Sequence, residues 1–385
     1  MLKSKLLFLV FFQLLSFNCW SQLPAAGIEH THRYFPMLKG KKIGMVVHQA
    51  SRFENTPQKT HLTDSLIRSG FKVSKIFAPE HGFKGKADAG EYIQDGKYGN
   101  IPIISLYGKN KKPTPEQMED VELMIFDLQD VGARFYTYLS TLHYIIEACA
   151  QASVPLLILD RPNPNGHYVD GPVLQTEHQS FVGMHPIPIV HGLTLGEMAQ
   201  MIVGEKWAAM ENPLELAIVP LSDYSHQTAY ILPIPPSPNL PNAQAVALYP
   251  SLCLLEPTAV SVGRGTSMQF QIFGHPKFSN VSFTFTPQPN SGAKNPKLNG
   301  EKCLGYDLRQ EQKPQKIELK WLLQAYKQFD EPEAFFLKGF DRIAGTSSLR
   351  KQLQLGLSAT DIRNSWEPAL ANFKAKRKKY LIYPD

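Results

Sequence analysis

Short apolar runs alternate with helical patterns through the first half of the chain. Five runs are apolar almost throughout and predict buried strands: 43–47, 73–78, 101–106, 123–126 and 155–159. Segments with helical spacing, such as 58–69 and 136–152, lie between them. Strands of this kind, alternating with helices, are typical of a parallel sheet covered on both faces. We therefore predict an α/β fold, with a Rossmann-like parallel-sheet domain over residues 23–206.

The pattern changes after residue 206. Segments 216–219 and 281–285 read as strands, and 317–329 and 347–355 read as helices. A last helix-loop-strand unit follows, in which Glu367-Pro368 would separate two helical stretches. We predict a second, smaller α+β domain over residues 207–385 that closes a cleft against the first. A chain of 385 residues suits two domains of roughly 100–200 residues each.

Proline is concentrated where the two predicted domains meet. Residues 231–241 read ILPIPPSPNLP, with five prolines, and 15 of the 30 prolines lie between Pro155 and Pro257. A segment of this composition is extended and stiff. We interpret it as a strap between the domains, with the neighbouring proline-rich loops stiffened as walls of a cleft.

The N-terminus has the pattern of a secretory signal peptide over residues 1–22. Lys3 and Lys5 precede an apolar stretch, 6–17, which ends in a polar segment. This predicts a periplasmic or secreted protein. Lipidation at Cys19 is the alternative, but the residue before Cys19 is not small, and we prefer cleavage near Ser21 or Gln22. No later stretch reaches 18 apolar residues, so no transmembrane segment is predicted.

Composition and charge exclude several classes of protein. Apolar residues make up 43% of the chain, which is ample for a folded core. The formal charge of +6 falls to 38 − 34 = +4 without Lys3 and Lys5, and no dense basic field predicts a nucleic-acid partner. Beyond the signal peptide there are three cysteines, which we interpret as buried free thiols: Cys149, Cys253 and Cys303. No feature of the sequence specifies an oligomeric state.

Motifs for cofactors and metals are missing from the sequence. It contains no G-x-G-x-x-G, no Walker loop and no G-x-S-x-G, so neither a nucleotide cofactor nor a serine nucleophile is predicted. C-x-x-C and H-E-x-x-H are also missing. His30-Thr31-His32 lies in a polar helical segment and reads as solvated histidines. We therefore expect no cofactor and no metal site.

Polar side chains follow the predicted strands directly. They are His48, Glu80, His81, Asp127, Asp130, Asp160 and Arg161. In open parallel sheets, ligands bind beyond the carboxyl ends of the strands. We therefore predict a functional site at this edge of the sheet.

Glu80 is the candidate general acid, because it lies between an apolar strand end and the second domain. Its possible carboxylate partners are Asp127, Asp130, Asp160, Asp170 and Glu177. Two carboxylates across a cleft are the usual arrangement for glycoside hydrolysis. A structural ion pair of Glu80 with Arg134 or Arg161 is the alternative.

Long motifs resemble a bacterial family of exo-β-N-acetylmuramidases, glycoside hydrolases that were first catalogued as a domain of unknown function. The motifs include FAPEHGFKG (77–85), FDLQDVGARFYTY (126–138), LDRPNPNG (159–166), PPSPNLP (235–241) and GRGT (263–266). The similarity covers the chain after the signal peptide. It implies a Rossmann-like domain, a smaller C-terminal domain, and release of N-acetylmuramic acid from the non-reducing end of peptidoglycan fragments.

The resemblance also implies a set of site residues. The catalytic candidates are Glu80 as general acid, His81 as a group that orients it or touches the substrate, Asp130 and Asp170. The substrate-binding candidates are His48, Asp127, Gln129, Arg134, Asp160, Arg161, Asn163, His191, Asn239 and Arg264. Muramic acid carries a lactyl carboxylate, which an Arg or His would bind. Arg134, Arg161, His191 and Arg264 are candidates for that contact, with structural salt bridges as the alternative for each.

The chain departs from the family pattern at two positions. Asp170 and Val262 stand where the family has Glu. Val262 keeps open the interpretation of a non-catalytic protein that binds cell-wall fragments. An esterase or amidase on the same scaffold is a further alternative, against which the missing G-x-S-x-G motif argues. A nucleotide-binding enzyme is the interpretation that the motifs favour least.

Overall fold

The structure is a computed structural model that describes residues 24–88, 91, 94–329 and 331–385. The predicted signal peptide lies outside the described residues. The first part of the chain forms a seven-stranded sheet in the order β3-β4-β2-β1-β5-β6-β7. Its strands are β1 Lys42–Val47, β2 Lys72–Ala78, β3 Gly96–Tyr98, β4 Ile101–Ser105, β5 Leu123–Asp127, β6 Leu156–Leu159 and β7 Leu216–Val219. All neighbouring strands are parallel except β3, which pairs antiparallel with β4.

Helices cover both faces of this sheet, as the sequence predicted. They are α1 Thr31–Leu38, α2 Leu62–Arg68, α3 Pro115–Met118, α4 Tyr138–Ala152 and α5 Leu195–Gly204; a further helix, α6 Ala243–Leu252, leads into the second part of the chain. Alternate residues of β1 point to opposite sides: Ile43, Met45 and Val47 join one apolar layer, and Val46 joins the other. Thr194 and Glu197 form a capping box that fixes the start of α5 beside the end of β6.

The second part of the chain is a smaller α+β unit around a three-stranded antiparallel sheet. Its strands, in the order β8-β10-β9, are β8 Ile272–His275, β9 Phe283–Phe285 and β10 Cys303–Asp307. Its helices are α7 Leu319–Lys327, α8 Pro332–Phe335, α9 Phe340–Ala344, α10 Ser348–Gln354 and α11 Ala359–Arg377. The apolar layer under α4 and α5 continues into this unit through Phe270, Trp321 and Trp366, so the two parts share a core.

Two local predictions differ from the structure. Segment 216–219 is not part of the second unit, because β7 pairs in parallel with β6 and extends the large sheet past residue 206. The expected division at Glu367-Pro368 is wrong: α11 runs through Pro368 and ends in a short 3-10 turn, with no strand after it. A helical proline removes its own N–H bond, but buried Trp366 and Leu370 anchor the helix on either side.

Two other predictions can be compared with the described residues. Cys149, Cys253 and Cys303 are buried free thiols, as predicted. In the part of the chain that the structure describes, no helix is both long enough and apolar enough to span a bilayer.

Candidate active site

A cavity of about 320 Å³ lies between the carboxyl edge of the large sheet and the second unit. Its lining comprises Glu80, His81, Tyr107, Phe135, Tyr136, Thr137, Val182, Ser237, Asn239, Leu240, Tyr249, Cys253, Glu256, Arg264, Phe270 and Ile343. Aromatic and aliphatic side chains form most of the wall, and a few charged and amide groups interrupt it. This composition is typical of a small-molecule site, in which apolar walls surround a few polar groups that fix orientation.

Glu80 enters the cavity from the turn after β2. The backbone of His81 and Gly82 is left-handed (φ 69° and 74°), so the chain reverses immediately after Glu80. The Thr137 hydroxyl donates a hydrogen bond of 2.6 Å to Oε2 of Glu80, whose side chain is only 8% exposed. His81 Nδ1 lies 2.7 Å from the Ala87 carbonyl oxygen and must donate to it, since a carbonyl only accepts.

Glu256 and Arg264 form an ion pair in the wall contributed by the second half of the chain. Nε and Nη2 of Arg264 each lie 2.9 Å from Oε2 of Glu256, and the guanidinium stands 5.1 Å from the centre of the Phe270 ring. Glu256 was not among the predicted residues, because it follows a 3-10 turn, Cys253–Leu255, rather than a strand. Its place eight residues before Arg264 of the GRGT motif is the signal that could have indicated it.

Asn239 presents an amide to the cavity from the proline-rich segment 231–241. The residue is 4% exposed, and neither its Nδ2 nor its Oδ1 has a hydrogen-bond partner among the described residues. Buried polar atoms are normally paired, so such an amide is suited to bind a ligand. The segment itself is held by Gln49 Nε2, which donates to the Pro235 and Pro236 carbonyls at 3.0 and 3.1 Å. The segment is therefore a wall of the cavity as well as a connection.

Most of the predicted residues at the sheet edge lie below the cavity and bind one another. Arg161 donates to both carboxylate oxygens of Asp127, at 2.5 and 3.1 Å, and to Glu54 at 3.1 Å. His48 Nε2 accepts from the Gln129 backbone N–H at 3.0 Å. Burial lowers the pKa of His48 well below its usual range, which agrees with a neutral acceptor.

Asp160 is a second centre of this buried network. Its oxygens accept hydrogen bonds from the Thr194 and Tyr383 hydroxyls, both at 2.6 Å, and from the Gly196 N–H at 2.8 Å. Asn163, nearby, donates to the Leu193 carbonyl at 2.9 Å. Burial nevertheless raises the pKa of Asp160 to about 6.

Three of the four predicted cations for a lactyl carboxylate lie away from the cavity lining. Arg134 is 1% exposed, and its guanidinium donates to four carbonyl oxygens: Pro172, Ile187, Ile343 and Ala344. Arg161 is occupied by Asp127 and Glu54. His191 is buried, and burial lowers its pKa to about 3, so it is neutral. Arg264 is the one of the four that lines the cavity.

The remaining carboxylate candidates also lie outside the lining. Asp130 is buried, with Oδ1 accepting from the Gly132 N–H at 2.7 Å and Oδ2 without a partner among the described residues. Burial raises its pKa to about 7. Asp170 binds Arg363 Nη1 at 2.5 Å and the Ile317 N–H at 2.7 Å. Glu177 lines a separate groove.

The two positions that depart from the family pattern, Asp170 and Val262, are not part of the cavity lining. Asp170 joins the first unit to α11 through Arg363, and Val262 is 2% exposed in the apolar core. Within the described ranges, no group of three or more His, Cys, Asp or Glu side chains is arranged to hold a metal ion.

Comparisons with known proteins identify the family of the chain. Residues 43–244 match the family model "Exo-beta-N-acetylmuramidase NamZ, N-terminal", and residues 247–383 match the corresponding C-terminal model. The chain is 36% identical over 380 residues to the peptidoglycan beta-N-acetylmuramidase NamZ of Bacillus subtilis (strain 168), covering 91% of this chain and 89% of that relative.

Two solved structures of DUF1343 family proteins from Bacteroides fragilis are similar to this one. BF0379 superposes with a TM-score of 0.86 at 42% identity, over 94% of this chain and 100% of that one. BF0371 superposes with a TM-score of 0.77 at 24% identity, over 94% and 99% of the two chains, and this second likeness concerns the fold alone.

Proposed function

The chain belongs to the exo-β-N-acetylmuramidase NamZ family and is a glycoside hydrolase, and on that premise we propose that it removes N-acetylmuramic acid from the non-reducing end of peptidoglycan fragments. The observation that carries this proposal is the placing of Glu80 and Arg264 in one small cavity. Ligand pockets span roughly 300–1,000 Å³. A volume of about 320 Å³ is at the low end of that range and suits one terminal sugar.

Glu80 is the general acid in this proposal. The hydrogen bond from Thr137 to Oε2 fixes the carboxyl group of Glu80 in the cavity, from which it can pass a proton to the glycosidic oxygen. The turn at His81 and the hydrogen bond of His81 to Ala87 hold the Glu80 backbone in place. A positioned acid of this kind accelerates a reaction by typically 10²–10⁴-fold.

Arg264 and Asn239 give the cavity its selectivity in this proposal. Arg264 carries the positive charge that a lactyl carboxylate needs, and its planar guanidinium can form a directed ionic hydrogen bond. The unpaired amide of Asn239 can both donate to and accept from a polar sugar substituent such as the acetamido group. The aromatic rings of Tyr136, Tyr249 and Phe270 would cover the apolar faces of the sugar.

Export of the protein is a further part of the proposal. The basic, apolar and polar segments of residues 1–22 support secretion to the periplasm or beyond, where peptidoglycan fragments are formed. N-terminal sequencing of the protein from the exported fraction tests it, and a first residue near Ser21 to Leu23 is the expected result. Recovery of the uncleaved chain from the cytosol would contradict it.

The activity is tested with purified mature protein on an N-acetylmuramyl-N-acetylglucosamine disaccharide and on a 4-nitrophenyl β-N-acetylmuraminide. We expect turnover of both substrates, and a loss of roughly 10²–10⁴-fold in kcat on the disaccharide for Glu80→Gln. Glu177→Gln is the matched control, because Glu177 lines a different groove. Binding without turnover by the wild type would instead indicate a protein that only binds cell-wall fragments.

A further inference from the structure

The carboxylate that works opposite Glu80 is not among the residues that the sequence suggested. Hydrolysis of a glycoside commonly uses two carboxylates that flank the scissile bond. The earlier candidates Asp127, Asp160 and Asp170 are each bound by several protein donors below or beside the cavity. Among the described residues that line the cavity, the carboxylates are Glu80 and Glu256.

We propose that Glu256 is the second catalytic carboxylate, an inference that rests on the proposed function. Arg264 engages only Oε2 of Glu256, and Oε1 makes no hydrogen bond with any described residue. The side chain keeps 26% of its surface exposed, whereas Asp127 and Asp170 keep 0% and 6%. Glu256 therefore has an oxygen available to a substrate.

The backbone around Glu256 is held in place by the half-buried ammonium group of Lys297. Lys297 Nζ donates to the carbonyl oxygens of Glu256 (2.8 Å) and Val260 (2.9 Å), and also to that of Thr258. Three carbonyls on one ammonium group fix the turn from which Glu256 projects. Catalytic groups act best when their supporting contacts hold them close to one geometry, and Lys297 supplies that support.

The step assigned to Glu256 is stabilisation of charge. As the glycosidic C–O bond breaks, its electron pair goes to the leaving oxygen, which takes the proton of Glu80. Positive charge develops at the anomeric carbon, and the Glu256 carboxylate stabilises it. A water then adds hydroxyl to that carbon and gives its other proton to Glu80, so one water is consumed and both carboxylates return to their starting forms.

Two substrates separate the roles of the carboxylates. Glu256→Gln is expected to lower kcat by roughly 10²–10³-fold on both the disaccharide and the nitrophenyl substrate, with KM little changed, because the charge develops with either leaving group. Glu80→Gln is expected to lose far less on the nitrophenyl substrate, since nitrophenolate leaves without protonation. Glu177→Gln should match the wild type on both.

Rescue by azide distinguishes a catalytic role of Glu256 from a structural role. In Glu256→Ala the lost carboxylate leaves space beside the anomeric carbon, and azide should restore turnover of the nitrophenyl substrate and yield the α-muramosyl azide. Glu256→Asp keeps the negative charge that pairs with Arg264, so it replaces the other variants in the experiment if they fold poorly. Its kcat should be higher than that of Glu256→Gln. Thermal unfolding of each variant shows that it is folded.

Several outcomes would overturn the inference while leaving the proposed function intact. If the wild type is active and Glu256→Gln has an unchanged kcat, or only a raised KM, then Glu256 is not catalytic and serves only to position Arg264. The same conclusion follows if azide does not restore the turnover of Glu256→Ala and the kcat of Glu256→Asp is no higher than that of Glu256→Gln. Absence of wild-type turnover on both substrates would count against the proposed function itself.

Discussion

The buried sheet edge and the cavity above it contain the same kinds of polar residue, used in different ways. At the sheet edge, Asp127 and Asp160 have both carboxylate oxygens bound by protein donors. In the cavity, Asn239 has an unpaired amide and Glu256 has one oxygen without a protein partner. Residue type and position after a strand do not separate the two regions. What distinguishes Asp127 and Asp160 from Asn239 and Glu256 is the number of hydrogen bonds that the protein already makes to each side chain.

The difference has an energetic meaning. Moving a charge out of water costs free energy, which close ion-pair and hydrogen-bond partners must offset. Breaking a buried pair leaves the remaining charge without its partner in an apolar surrounding. The sheet edge follows this rule and serves the fold. Glu256 keeps 26% of its side chain exposed to solvent, and the buried amide of Asn239 has no hydrogen-bond partner among the described residues, so both side chains can bind a ligand. Mutations in the first region should therefore affect stability, and mutations in the second should affect activity.

The Asp127–Arg161 pair gives the strongest test of this division. Asp127→Asn should lower the free energy of unfolding by about 3–5 kcal/mol, because Arg161 would stay buried with only Glu54 as an acid partner. Urea denaturation measures this. The matched control is Asp120→Asn in the exposed pair with Lys42, where almost no change in the free energy of unfolding is expected. Full stability with loss of activity in Asp127→Asn would place this residue in the substrate site and break the comparison.

The pH dependence of stability at Asp130 is a second test of the distinction between residues that serve the fold and residues that serve activity. Burial raises its pKa to about 7, above the ordinary value of 3.8, so between these values the folded state binds a proton that the unfolded state has lost. The contribution of Asp130 to stability is therefore full below about pH 4 and is lost as pH rises through about 7.

Asp130→Asn keeps an oxygen for the Gly132 N–H and cannot ionise. We expect the variant to be more stable than the wild type at pH 8, by on the order of 2 kcal/mol, and the advantage to vanish near pH 4. Urea denaturation at both pH values measures it. An equal effect at pH 4 and pH 8 would show that the carboxyl group does not titrate in this range.

Arg264 tests the cavity side with the smallest effect. Arg264→Lys keeps a positive charge but loses the planar donor geometry. We expect KM for the muraminide to rise by about 10-fold, which corresponds to about 1.4 kcal/mol, with the free energy of unfolding almost unchanged. The selectivity for the muraminide over an N-acetylglucosaminide, which lacks the lactyl group, should fall by the same factor. If Arg264→Lys instead lowers the free energy of unfolding and leaves KM unchanged, Arg264 stabilises the fold and does not bind the substrate.

The architecture could be predicted from the sequence because its signals are local. Apolar runs such as 123–126 and 155–159 are properties of neighbouring residues, and the strands β5 and β6 form there as predicted. The place of β7 could not be predicted in this way. Its four residues follow a long stretch without strands, and only pairing with β6 shows that it belongs to the large sheet.

The candidate site was less predictable than the fold. The sequence indicated Glu80, Asn239 and Arg264, which line one cavity, but it also indicated Asp127, Asp160 and Asp170, which do not. Whether a carboxylate meets a cavity or an arginine depends on partners distant in the chain, such as Arg363 for Asp170, 193 residues away. Glu256 was missed for the same reason, since no local pattern distinguishes it from a surface glutamate.

Two residues far along the chain, Ile382 and Tyr383, complete the polar interior of the first unit. Tyr383 donates its hydroxyl to Asp160, and the backbone N–H groups of Ile382 and Tyr383 donate to Glu197. The polar interior of the first unit can therefore close only after residues more than 200 positions further along the chain than Asp160 have been synthesised. A variant that stops before Ile382 would leave Asp160 and Glu197 without these donors, and the large sheet would lose contacts on which its folded state depends.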